Sequence, residues 1–291
     1  MSANDIINLM YTYIEKPHNL ETLSKNHPFK VYCLKYIKDN FSNISQREMA
    51  RRLQIGKTTV NKWCRIQNLI FHKHTVNENF FKTWSCEMAY ILGYIIADGN
   101  VAWNPVRGYN TLTITAAAKD KQHLEKVRKI IQSTKSLLYG GNTNSYRLIV
   151  NSKVICLDLM GFGIIPRKSL IVRFPRIPKQ YHSHFIRGII DGDGSLRYFK
   201  RERSPYFEIQ IYSGSLEFIK SLRKVIQNHL SINSRIEKRS CYTLRYSCTR
   251  GKELAGWIYG NSTICLKRKY IKYLEALNAQ RIKKGEQPDG N

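Results

Sequence analysis

The chain has 291 residues, 42% of them hydrophobic and 11% aromatic, which is enough for two or three ordinary cores and excludes an unstructured tail. Lysine and arginine outnumber aspartate and glutamate by 48 to 21, and the net charge of +27 exceeds what solubility needs, pointing to nucleic acid ahead of other anionic surfaces. There is no run of about 18 apolar residues and no basic n-region at the start, so a soluble, intracellular protein without a membrane span is expected. The seven cysteines, odd in number and without C-x-x-C spacing, read as reduced thiols and exclude a disulfide framework or zinc knuckle.

Residues 1–78 read as a helical domain, with apolar residues at helix spacing at Val31, Leu34, Tyr36 and Ile37. Ser45-Gln46-Arg47-Glu48 has the form of a capping box opening a helix through Leu53. After a break at Gln54-Ile55-Gly56, a second helix runs from Lys57 to about Leu69. Met49, Ala50, Leu53, Ile55, Val60 and Trp63 fall where a helix-turn-helix places its internal contacts, and the stretch from about 45 to 69 resembles that family. The resemblance implies a second helix in the major groove, presenting Lys57, Thr58, Asn61, Lys62 and Arg65. A plain helical hairpin with a solvated basic face is the alternative. Gly56-Lys57-Thr58 is no phosphate-binding loop, because Arg51 occupies the earlier glycine position and no strand precedes it.

From residue 79 the chain repeats itself. Ile91-Leu92-Gly93-Tyr94-Ile95-Ile96-Ala97-Asp98-Gly99 returns 95 residues later as Ile186-Arg187-Gly188-Ile189-Ile190-Asp191-Gly192-Asp193-Gly194. Each copy is a short apolar helix with small residues four apart, Gly93/Ala97 and Gly188/Gly192, ending in Asp-Gly. Such a face lets two helices approach almost backbone to backbone, leaving Asp98 and Asp193 side by side. After the first copy, strands are expected near Val101–Trp103 and Thr111–Thr115, then a helix over Lys121–Ser133, strands near Leu137–Tyr139 and Tyr146–Val150, and a helix from Lys153 to Met160. The second half repeats the order: strands near Leu196–Lys200 and Tyr206–Tyr212, helix Leu216–Leu230, strands near Arg235–Lys238 and Tyr242–Tyr246, and helices after Lys252. Pro175 and Pro178 mark the join. Val127–Gln132 matches Leu222–Gln227 at the same offset, and Arg167-Lys168 matches Arg268-Lys269 at an offset of 101, so a whole domain is duplicated.

The paired segments resemble the motif of the LAGLIDADG homing endonucleases, in the single-chain form that carries two motifs. Gly93 and Gly188 fall on the family's helix-packing glycine and Asp98 and Asp193 on its metal-binding acid, while the often acidic sixth position is Ile96 in one copy and Asp191 in the other. The resemblance implies an α+β fold in which two pseudo-symmetric αββαββα halves, 79–179 and 180–291, form a DNA-binding saddle behind the small all-α domain. It also implies a site-specific, magnesium-dependent endonuclease, manganese substituting, acting as a monomer on a long asymmetric double-stranded target in intron homing. The metal would lie between Asp98 and Asp193, beside the carbonyls of Ala97 and Gly192. A basic residue after each half, Lys168 or Lys269, would approach the attacking water or the scissile phosphate, with phosphate positioning as the simpler role. Side chains alternate along strands, so one sheet face can meet the groove. Candidates there are Arg107, Tyr109, Asn144 and Arg147 in the first half, and Arg197, Lys200, Arg201, Arg203, Gln210, Arg235, Lys238, Arg239 and Arg245 in the second.

Two rivals keep the basic surface without needing both acids: an intron RNA maturase, with RNA as the partner, and a catalytically silent DNA-binding regulator. The chain ends lack a His-Asn pair for splicing, so a free-standing protein is expected rather than an intein. Asp191-Gly192-Asp193 with Glu202 is a poor calcium loop, since Leu196 stands where glycine is required. The pairs His72/His74 and His182/His184 lack further ligands at useful spacing and read as ordinary.

Overall fold

The computed structural model describes residues 20, 23–41, 43–69, 74–104, 106, 109–200 and 206–283. The chain divides into two compact units, residues 1–73 and 74–291. The smaller unit holds α1 (Pro28–Asn40), α2 (Gln46–Arg52) and α3 (Lys57–Ile66). Ser45 caps α2 by accepting from the Glu48 amide at 3.2 Å, while the Glu48 carboxylate turns to Arg51 and Arg52. Met49, Ala50, Leu53, Ile55, Val60 and Trp63 are all buried, closing around Phe29, Cys33 and Ile37 of α1. Helix α3 stops at Ile66, short of Leu69, because Asn68 takes a left-handed φ of 54°.

The larger unit holds both repeats. In the first, α4 (Cys86–Asp98) is followed by β1 (Gly99–Asn104), β2 (Tyr109–Ala117), α5 (Lys121–Ile130), β3 (Leu138–Gly140), β4 (Ser145–Val150) and α6 (Lys153–Gly161). In the second, α7 (His182–Asp193) precedes β5 (Ser195–Phe199), β6 (Tyr206–Ser213), α8 (Leu216–Leu230), β7 (Ile236–Lys238), β8 (Tyr242–Ser247), α9 (Cys248–Tyr259) and α10 (Lys267–Lys283). Two four-stranded antiparallel sheets result, ordered β1-β2-β4-β3 and β5-β6-β8-β7, the same topology twice. Two boundaries in this unit differ from expectation: helix α5 ends at Ile130 rather than Ser133, since Gln132 has φ 55°, and α9 begins at Cys248 rather than beyond Lys252. Helix α7 begins at His182, so His184 lies within it.

One core serves both halves, with α4 and α7 at its centre. On β2 the inward set Leu112, Ile114 and Ala116 is buried beneath the helices, leaving Thr111, Thr113 and Thr115 on the opposite face. Strand β6 differs, because Glu208 and Gln210 are buried on the face opposite Phe207, Ile209 and Ile211. The central helices carry strong local signals. Ser85 caps α4 by accepting from Met88, and nine residues of α4 are buried, as only a helix between two layers requires.

Candidate active site

Gly93 and Gly188 make the central contact. A Cβ on Gly93 would stand 2.1 Å from the carbonyl oxygen of Phe185, and one on Gly188 would stand 2.0 Å from that of Tyr90. Phe185 is the repeat mate of Tyr90, so the two collisions are images of each other across a pseudo-twofold axis. Toward the helix ends a Cβ on Gly192 would meet the Ala97 Cβ at 2.3 Å and the Asp98 Oδ2 at 3.2 Å. The four small residues therefore fix how closely α4 and α7 approach, and that approach delivers Asp98 and Asp193 to adjoining helix ends. The glycine after each acid is also demanded by space: a Cβ on Gly99 or Gly194 would stand 2.6 Å from the carbonyl oxygen of Ile95 or Ile190.

The electrostatics of the pair follow from that placement. Burial, and then the neighbouring Asp193 carboxylate, push the Asp98 carboxyl up to about 6, against smaller opposing pulls from Lys269, a Tyr94 hydrogen bond and Lys168. Asp193 is exposed to solvent, yet protein crowds it enough that burial raises its carboxyl as well, opposed by Lys168 and Lys269. Both lysines are buried. Lys168 donates to the Gly99 carbonyl at 2.5 Å. Lys269 reaches the carbonyls of Ile190, Asp191 and Gly194 at 2.6, 2.8 and 2.7 Å, with that of Gly192 at 3.4 Å. Burial lowers Lys168 from its ordinary value and brings Lys269 down to about 8. Among the described residues no group of three or more His, Cys, Asp or Glu side chains is placed to hold a metal ion. A cation here would draw on two carboxylates and complete its shell from outside the protein, which suits a hard ion that retains water and binds phosphate.

This double-motif core decides the family. The sequence model of the LAGLIDADG-like domain matches residues 85–156 and 180–275, together more than half of the chain and one segment per repeat. The chain belongs to the LAGLIDADG-like domain family. An uncharacterised protein of Methanocaldococcus jannaschii is 26% identical over 224 residues, 74% of this chain and 77% of that protein. Among solved structures, the I-LtrWI LAGLIDADG homing endonuclease bound to target DNA aligns at 12% identity with a TM-score of 0.46, covering 70% of this chain and 92% of that one. I-SmaMI bound to uncleaved DNA target in the presence of calcium ions aligns at 16% identity with a TM-score of 0.48, covering 69% and 93%.

The surface candidates divide. Arg147 lies opposite Thr115 and is exposed; Arg197 lies opposite Glu208 and is exposed. Arg245 lies opposite Gln210 and reaches Glu208 at 3.3 Å and Glu237 at 3.4 Å. Lys200, Arg235 and Arg239 are exposed, Tyr109 opens β2, and Asn144 sits in a left-handed turn accepting from the Tyr139 hydroxyl. Two expectations are corrected. Gln210 shares the face of its cross-strand partner Arg245 but is buried there, its amide donating to Glu208 and its carbonyl accepting from Tyr212, so its side chain is covered rather than presented. Lys238 lies opposite Tyr242, two residues from inward-facing Leu244, so the pleat turns it to the helix side, where its ammonium rests 4.0 Å from the Tyr242 ring. Arg107, Arg201, Arg203 and His72 lie outside the described residues. In the smaller unit Lys57, Thr58, Asn61, Lys62 and Arg65 are all exposed on α3, with Asn61 accepting from Gln46 at 3.2 Å.

Two buried charged groups have roles that the sequence reading did not assign. Arg187, 1% exposed, donates to the carbonyls of Ile264 and Ile258 at 2.8 and 2.6 Å and contacts His184 Nδ1 at 2.9 Å. Asp191, also 1% exposed, accepts from Tyr90 and Tyr259 at 2.9 Å each and from the Leu266 amide at 2.8 Å. Their signal was present: two charges four apart inside an otherwise apolar helix belong in a satisfied buried network. His182, read as ordinary, contacts His229 at 3.0 Å.

Proposed function

We propose that the protein is a site-specific double-strand DNA endonuclease whose divalent cation is held between Asp98 and Asp193. The observation that carries this reading is the meeting of two carboxylates at the touching ends of two buried helices, with each carboxyl held above its ordinary range. Such a pair favours a cation or a proton, and a DNA phosphate arriving with magnesium relieves the repulsion. Manganese, with similar oxygen preference, would substitute. Asp98 and Asp193 would hold the cation, with the carbonyls of Ala97 and Gly192 beside them and the latter shared with Lys269. Once bound, the cation would activate the attacking water and neutralise charge on the phosphate.

The chain's own residues do the rest. Apposed α4 and α7 fix the acids without reorganisation at the moment of reaction, and Lys168 and Lys269 place positive charge where the phosphate would gain negative charge. Arg147, Arg197, Lys200, Arg235 and Arg245 supply phosphate and base contacts. The two sheets present different faces, Thr111, Thr113 and Thr115 in the first and Tyr206 and Arg245 in the second, which suits a long target whose two halves differ. Both acids belong to one chain, so a monomer suffices. Helix α3 extends the footprint. Intron homing is the setting that fits a rare, long target.

The test is end-mapping by sequencing of DNA from the source organism after incubation with purified protein and magnesium, with Asp98→Asn as control. Discrete staggered ends that vanish in the control are expected. Binding to DNA without specific ends would replace this reading with the silent regulator, and binding to intron RNA alone would replace it with the maturase.

A further inference from the structure

The two lysines at matching positions are held in different ways. A lysine ammonium carries three N–H donors. Lys269 has three carbonyls within 2.8 Å, all at the C-terminal end of α7, where its charge also meets the negative end of the helix dipole. Lys168 meets one described carbonyl, that of Gly99, and keeps two donors.

The difference traces to the sixth motif position. In the second half Asp191 takes the Leu266 amide at 2.8 Å and the Tyr259 hydroxyl at 2.9 Å. The Leu266 carbonyl accepts from the amides of Lys269 and Tyr270 at 2.9 and 3.1 Å, so the carboxylate fixes the turn that launches α10 and Lys269 with it. Arg268 adds a fork onto Asp120 at 3.0 to 3.2 Å, and Lys272 reaches the Leu196 carbonyl at 3.0 Å. Among the described residues the first half shows none of these ties. Ile96 stands in place of Asp191 and offers no acceptor. Exposed Ile165 matches Leu266, and exposed Arg167, at φ 60°, matches Arg268. Ser215 matches Asp120 and spends its hydroxyl on the Val172 carbonyl. Lys168 rides on a three-residue 3-10 turn instead of a long helix.

We infer that Asp191 is a positioning residue that locks Lys269 as a cap on α7, making the two half-sites inequivalent and leaving Lys168 as the lysine free to turn onto a DNA phosphate. This rests on the endonuclease reading and specifies it: the two strands are cut in sequence, the strand served by Lys168 first, through a nicked intermediate.

The experiment follows each strand separately on the target recovered by end-mapping, with thermal denaturation of the same proteins without DNA. Wild-type protein should cut the two strands at rates about tenfold or more apart, and Lys168→Met should lose the fast strand about 100-fold while the slow one persists. Asp191→Asn should bring the two rates toward equality by releasing Lys269. Tyr259→Phe, which removes one of the bonds to Asp191, should give an intermediate ratio and covers the case in which Asp191→Asn does not fold. Without DNA, Lys269→Met should melt several degrees below wild type, and Lys168→Met within about a degree. Slowing of both strands by one common factor in Asp191→Asn and Tyr259→Phe, or equal losses of melting temperature in the two lysine variants, overturns the inference. Wild-type protein that cuts neither strand overturns the endonuclease reading instead, and the melting comparison still decides whether Lys269 is locked.

Discussion

Replacing Asp98 by asparagine should make the cation-free protein more stable while abolishing cleavage. The carboxyl moves from its ordinary 3.8 to about 6 on folding, chiefly through burial and the nearby Asp193. That gap corresponds to roughly 3 kcal/mol of strain in the ionised state at neutral pH. Asp98 is half-buried, and its remaining solvent contact lowers the recoverable part to about 1–2 kcal/mol. The sign follows from proton linkage. The folded chain binds the extra proton more tightly, so the stability it contributes is fully present below pH 3.8 and is lost as pH rises through about 6. In EDTA at pH 7.5, differential scanning calorimetry should place the larger unit of Asp98→Asn roughly 2–6 °C above wild type. The gain should shrink as pH falls from 6 toward 4. Saturating magnesium should raise wild type and leave the variant in place. A variant that melts at or below wild type at pH 7.5 in EDTA, or keeps its full gain at pH 4, would refute the reasoning that the acids are held in strained proximity.

The helix contact and the domain division give further predictions. Gly93→Ala or Gly188→Ala puts a methyl group about 2 Å from a backbone oxygen that no rotamer change can move, so each should cost at least 3 kcal/mol in urea denaturation; a loss under 1 kcal/mol would show that the helices can separate freely. Deleting residues 1–73 removes a unit with its own core, so the remainder should keep a cooperative melt and a far-ultraviolet spectrum of mixed helix and strand. The same deletion should shorten the nuclease-protection footprint and reduce the slope of affinity against salt, and an unchanged footprint and slope would remove α3 from the DNA surface.

Much of the architecture was legible because it was written twice. Two apolar segments ending in Asp-Gly, 95 residues apart, announced the paired helices, and the period-2 and period-3.6 patterns between them placed the strands and flanking helices to within a few residues. Boundaries moved where the backbone took positive φ at Gln132 and Asn68: asparagine tolerates the left-handed region and was a stop signal to be read, whereas glutamine has no such preference and gave no mark. Which face of a strand a cation occupies depends on register, and a side chain such as Lys238 changes faces with a shift of one residue.

The sequence by itself determined that two carboxylates would meet: small residues at helix spacing need a partner helix, and a duplicated motif supplies one on a twofold axis. It also determined the basic charge and the buried face of the α2–α3 pair. Only the tertiary structure decided what the neighbours of those acids do. Segments 75 residues apart had to come together before Lys269 could be seen at the end of α7 and Asp191 on the Leu266 amide, and so before the Ile96/Asp191 difference, plain in the sequence, acquired a structural consequence. Local patterning reports what a helix buries, whereas the partner of a buried charge is set by chain segments whose approach no local period records.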